Sequence, residues 1–173
     1  MAKSLEERIR EIEDRLEIYN LIAAHPPTAD TGAKEFTLTM WVEDGVFDRG
    51  PNLLGATGRQ AIAEVLVTPG HQAAIAGGIA HFTSLPHVEI DGDTAVATNY
   101  LQILVPQTQG YPVDVPNHGI SKGHRAHRVV ANRWEFVRTK DGWKIKRRTI
   151  HPMDGTEPGR ALLRQAVTVR AAS

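Results

Sequence analysis

The 173-residue chain has the length of one ordinary domain, and its 41% hydrophobic and 23% charged residues exclude collagen-like, disordered and membrane-spanning classes. Lys plus Arg (20) balance Asp plus Glu (20), so no net field draws the chain to nucleic acid or to an anionic membrane. The absence of Cys excludes disulfides, thiolate metal sites and a Cys nucleophile.

Met1 to Arg10 is charged throughout and lacks an apolar segment before a small-residue cleavage site, which predicts a soluble cytoplasmic protein. Ser4 with Glu7 forms a capping-box signature. Ile9, Ile12, Leu16, Tyr19 and Ile22 then recur at helical steps, so one amphipathic helix is expected. It should stop near His25, ahead of Pro26 and Pro27. A second helix is predicted over Gly32 to Val42, with Phe36, Met40 and Trp41 on its apolar side. Asp44-Gly45 reads as a turn, Val46 to Asp48 as a short strand, and Pro51 to Gly58 as a loop. Arg59 to Val67 is helical in pattern, and His71 to Ala76 allows one more helical turn.

From Ile79 the character changes to β-rich runs at Ala80 to Ile90, Thr94 to Val105, Arg128 to Arg138 and Trp143 to His151, with hairpin turns at Asp91-Gly92-Asp93 and Lys140-Asp141-Gly142. Helices followed by an antiparallel meander predict a single α+β domain, residues 1–173, whose N-terminal helices pack in a strongly curved, mostly antiparallel sheet that forms a cone. Pro106 to His127 is long for a hairpin connection and is expected to be a lid or an intersubunit arm. Leu162 to Val167 is predicted to form a last short helix or a tail packed on a partner.

Eight His residues stand out, at 25, 71, 81, 87, 118, 124, 127 and 151. His124 and His127 are three apart at the edge of a strand, where that step sends them to opposite faces, and there is no H-E-x-x-H, so no bound metal is expected. A P-loop, G-x-G-x-x-G and G-x-S-x-G are all missing, so no nucleotide cofactor and no serine nucleophile are expected. What remains is acid–base chemistry by His and Asp in a pocket, with Asp30 and His81 as candidates. Ile79, His81 and Thr83 share one strand face, opposite Ala80 and Phe82. The run Lys144, Lys146, Arg147, Arg148 alternates with Ile145 and reads as a solvated sheet face.

The stretches L-E-x-x-N-L-I-A…A-D-T-G, W-V-E-D-G-V-F-D, G-R-Q-A-I-A-E-V-L, I-A-H-F-T-S-L-P-H-V-E-I-D-G-D-T-A and W-E-F-V-R-T-K-D-G-W-K-I, spread from about Leu16 to about Arg148, resemble the SnoaL-like superfamily. The resemblance implies the nuclear transport factor 2-like α+β cone. In its dehydratases and dehydrochlorinases an Asp after the first helix pairs with a His that opens a cone strand, which implies that Asp30 and His81 form that dyad here. Several dehydratase relatives have a Tyr five residues before the Asp; His25 stands there in this chain, so a second imidazole is added as acid or base.

Asn132 is similar to a strand Asn that binds substrate in some dehydratases. With Trp134 it is expected to line the pocket, with Trp41 and Tyr100 as an aromatic wall and Arg148 and His151 meeting an anionic or phenolic group near the open end. The function implied is a cofactor-independent lyase that expels water or formaldehyde from a hydrophobic, aromatic hydroxylated substrate. The alternatives are an isomerase or cyclase of the same fold and a non-catalytic binding or assembly module. A homo-oligomer, dimer or trimer, is expected.

Overall fold

The computed structural model describes residues 3–167; the ends of the expected domain, residues 1–2 and 168–173, lie outside the described residues. Helix α1 (Leu5–Ala23) starts at the capping box, Ser4 Oγ accepting from the Glu7 amide and Glu7 accepting from the Ser4 amide. Its inward face differs from the expected stripe. Asp14, Ile18 and Ile22 are buried, whereas Leu5, Ile9, Ile12 and Leu16 are exposed. The polar contacts of Asp14 set this rotation: it accepts from both terminal nitrogens of Arg138 and from the Trp143 indole.

Helix α1 ends ahead of the Pro pair as expected, but the pair does more than stop it. It begins a second helix, α2 (His25–Thr31), because a missing amide donor costs nothing in a first helical turn. Helix α3 (Lys34–Met40) follows, and Trp41 starts strand β1 (Trp41–Asp48) rather than closing the helix. Strand β2 (Ala56–Thr57) occupies part of the expected loop, ahead of α4 (Arg59–Val65) and α5 (Pro69–Ala76), the latter capped by Thr68.

The first β-rich run divides at Ser84 to Pro86 into β3 (Ala80–Thr83) and β4 (His87–Asp91), both antiparallel to β5 (Thr94–Pro106). The expected lid or arm carries its own exposed hairpin, β6 (Val113–Val115) and β7 (Gly119–Ser121). The long strands β8 (His124–Thr139) and β9 (Gly142–Pro152) complete the meander, and α6 (Glu157–Arg164) buries Leu162.

The sheet order is β2-β1-β9-β8-β5-β3, with β4 also on β5. It is mixed, because β1 joins β9 in parallel while the other neighbours are antiparallel, and it is open rather than a closed barrel, because the order ends at β2 and β3 without pairing them. The core between helices and sheet gathers Ile18, Ile22, Met40, Trp41, Ile62, Trp134, Phe136, Trp143 and Ile145, and a smaller cluster of Leu101, Val130 and Ile150 lies beyond it. Among the described residues no helix is long and apolar enough to cross a membrane.

Candidate active site

Beside the smaller cluster the molecule leaves a cavity of about 440 Å³, within the range of small-molecule sites. It is lined by His25, His71, His81 and His127, by Arg49, Arg128 and Arg148, and by apolar groups that include Phe47, Leu101 and Ile150. A narrower apolar recess with Trp41, Met40, Ile62 and Trp134 continues past His25, Phe47 and Arg148. A separate groove along α1 is lined by both signs of charge, among them Lys3, Glu7, Arg10, Glu11, Arg15 and Arg138, and reads as solvated surface.

Asp30 sits in the last turn of α2, which ends at Gly32 with φ 67°, a left-handed position suited to glycine. The turn aims the carboxylate at the start of β3. Oδ2 accepts from the His81 amide at 3.0 Å and Oδ1 from His81 Nδ1 at 2.5 Å. Because a carboxylate only accepts, Nδ1 carries the proton and the Nε2 lone pair is left free. Burial holds His81 below its ordinary pKa; Asp30 opposes that shift, and Arg148 and His71 add to it. The site therefore presents a neutral, oriented imidazole, the form a general base requires.

His25 lies in the first turn of α2, its ring 5.8 Å from that of His81 and 5.8 Å from that of Trp134. Burial pushes its pKa well below 6.5, and Arg148, His81 and His71 push it the same way. One Arg148 terminal nitrogen lies 2.9 Å from Nε2 and 3.1 Å from Nδ1, so the neutral ring accepts from the guanidinium.

Arg148 departs from the expected surface position: it is 1% exposed. The cause is a register shift. Phe136 pairs with Ile145 but Glu135 pairs with Arg147, which leaves Lys146 as an extra residue in β9. The inward set thus passes from Trp143 and Ile145 to Arg148 and Ile150, all buried, instead of running on through Arg147. The guanidinium carbon lies 4.3 Å from the Trp134 ring centre and 4.8 Å from that of Phe47.

The other expected site residues divide. Asn132 is buried, but its Oδ1 accepts from Arg148 Nε at 3.0 Å and a terminal nitrogen at 2.9 Å, so it holds the arginine rather than lining the cavity. Trp134 and Trp41 line the recess. Tyr100 does not join them: it is exposed, on the opposite face of β5 from Asn99 and Leu101. His151 is outside the cavity lining and its buried Nδ1 has no partner.

Several contributors had no sequence signal. Asn99 accepts from Trp134 Nε1 at 3.0 Å and fixes the indole. His71 and His127 stand in segments without a motif; His71 Nε2 donates to the Ala29 carbonyl at 2.8 Å, one residue before Asp30. Among the described residues no group of three His, Asp or Glu is placed to hold a metal ion.

The low pKa values of His25 and His81 predict how stability depends on pH. Each takes up a proton in the unfolded chain near its ordinary value of 6.5 but resists it when folded. Their contribution is complete above that value and is lost as pH falls below it, by up to about 1.4 kcal/mol per pH unit for each histidine. Urea unfolding at a series of pH values from neutral downward checks this; a flat stability through the window where free histidine titrates would contradict a neutral buried pair.

Comparison with known proteins gives the lineage. The SnoaL-like domain family matches residues 10–149. An NTF2-like protein with a cystatin-like fold from Novosphingobium aromaticivorans is similar at 38% identity, over 92% of this chain and 94% of that one, with a TM-score of 0.80. A candidate aromatic ring hydroxylase from the same species has 28% identity over 82% and 90% of the two chains, with a TM-score of 0.58. A candidate dehydratase of the NTF2-like family from Streptomyces avermitilis shares the fold, at 20% identity over 82% and 98% and a TM-score of 0.56. No curated protein matches. The chain belongs to the SnoaL-like family and has the NTF2-like fold.

Proposed function

We propose that the protein is a cofactor-independent lyase acting on a hydrophobic, aromatic hydroxylated substrate. The observation that carries this reading is the Asp30–His81 pair opening on a partly apolar cavity, with the tautomer of His81 set by two bonds to one carboxylate. His81 Nε2 takes a proton from carbon or from a hydroxyl. From carbon, the freed electron pair forms a C=C bond, and hydroxide departs as water with a proton returned by the imidazolium. From a hydroxymethyl group, the O–H pair becomes the C=O of formaldehyde, the broken C–C pair forms a C=C bond to the neighbouring carbon, and hydroxide leaves that carbon as water with the proton returned by the imidazolium.

Asp30 stabilises the transient imidazolium in either case. Its neutral state and its bond from Arg148 make His25 a hydrogen-bonding group that orients the leaving oxygen rather than a cationic acid. The aromatic class is supported by Trp41 and Trp134 in the recess and by the name of the ring-hydroxylase-like relative. The homo-oligomer belongs to the same reading, supported by exposed Leu5, Ile9, Ile12 and Leu16 on α1, and light scattering reads its order.

The test is turnover of a panel of hydroxylated aromatic and alicyclic compounds with mass detection of products. A product lighter by water, or by formaldehyde together with water, supports the lyase and names what leaves. A product of unchanged mass would replace it with an isomerase or cyclase.

A further inference from the structure

We propose that the substrate of this cavity is an anion, an aromatic compound whose carboxylate or phenolate oxygen is met by Arg148. The inference rests on the reading of the cavity as the reactive site and adds the charge of what enters it. Arg148 is a buried cation whose contacting groups are all neutral, the Asn132 amide oxygen, the His25 ring and the faces of Trp134 and Phe47, while the nearest charge, Arg49, is of the same sign. Among the described residues no carboxylate lies within ion-pair distance of Arg49, Arg128 or Arg148. Of the other described arginines, Arg59, Arg133, Arg138, Arg160 and Arg164 have an acidic partner, and none of those without one is buried, so Arg148 alone is both buried and without an acid.

The cavity lining repeats the pattern. It contains three Arg and four His and no Asp or Glu; the one nearby carboxylate, Asp30, stands behind His81 with both oxygens engaged. A chain of zero formal charge has thus gathered cations around one cavity. Burying an unpaired charge costs several kcal/mol, a cost an incoming oxyanion offsets.

The donor count agrees. A guanidinium has five N–H groups; two go to Asn132 and one to His25, which leaves two for a ligand. Stacking between Trp134 and Phe47 fixes the plane in which those donors point, the arrangement suited to a planar oxyanion beside an aromatic ring.

Binding of four probes by titration calorimetry tests this without turnover: cinnamate against cinnamamide, and 4-nitrophenolate against 4-nitroanisole. We expect at least one anion to bind about tenfold to a hundredfold more tightly than its neutral counterpart. Arg148→Met should bring that ratio to about one, and Arg148→Lys, which keeps the charge, should retain part of it. Preference for cinnamate identifies a carboxylate, preference for nitrophenolate a phenolate. Equal binding of anion and neutral probe, no binding of either anion, or a preference that survives Arg148→Met overturns the proposal. Should Arg148→Met not fold, wild type and Arg148→Lys decide, because a preference that is absent or unaltered in both contradicts the geometry. Anion binding without any turnover would fault the lyase reading alone, and turnover of neutral compounds with no anion preference would fault this inference alone.

Discussion

Replacement of His81 by Ala is expected to lower kcat/KM by about three to four orders of magnitude, and Asp30→Asn by a comparable factor, with the fold intact. The first removes the base. The second keeps shape and acts through the tautomer. In the wild type both carboxylate oxygens accept, one from the His81 amide and one from Nδ1–H. Asn has one accepting oxygen, which the amide N–H claims, so its NH₂ group faces Nδ1. That nitrogen must then accept, the ring proton moves to Nε2, and the lone pair aimed at substrate is lost. Steady-state kinetics with circular dichroism of each variant decide the matter; retention of activity within about tenfold in both would sink the dyad.

Asp14→Ala is expected to destabilise the fold by about 2–4 kcal/mol while leaving the dyad chemically untouched. Asp14 is 7% exposed and accepts from two Arg138 nitrogens at 2.5 and 2.7 Å and from Trp143 Nε1 at 3.0 Å. Arg138 also lies over the Trp143 ring at 4.5 Å. Truncation leaves a buried indole N–H without a partner; Arg138, partly exposed and still bonded to Asp93, contributes less. Glu17, one turn further along α1, accepts from the Trp143 amide at 2.8 Å, so both acids fasten the helix to the start of β9.

The same carboxylate gives a second acid-sensitive window. Arg138 holds Asp14 below its ordinary value of 3.8, so its contribution is present above that pH and disappears as pH falls through the lowered value. That loss begins below the pH at which the histidine loss begins. Urea midpoints for wild type and Asp14→Ala measure the effect; a change under about 0.5 kcal/mol would mean that the cluster is incidental.

Local patterns were legible wherever the chemistry is local. The capping box at Ser4 and Glu7, the helical spacing of Arg59 to Val67, the hairpin turns at Gly92 and Gly142, and the long strands ending near Arg138 and His151 all follow from neighbours in the chain. The stop ahead of Pro26-Pro27 was legible too, α1 ending at Ala23, but not the helix that the pair begins, because proline stops one helix and starts another with equal ease. The same logic misread the face of α1: apolar spacing selected Ile9, Ile12 and Leu16, yet a buried acid, Asp14, turns the helix towards a partner 124 residues away. Periodicity alone does not reveal that a charge will be satisfied at such distance.

By itself the sequence determined an α+β domain with helices ahead of a meander, its family, and Asp30 and His81 as the candidate pair, since these depend on local propensity and on a pattern spread along the chain. Only the tertiary structure decided that Arg148 lies inside. Strict alternation sends Arg148 to the solvated face, but one extra residue, Lys146, inserted opposite β8 exchanges the faces of every residue after it. Cross-strand pairing sets that shift, and the convergence of Arg49, Arg128 and Arg148 on one cavity is settled by strands that meet only in the folded sheet.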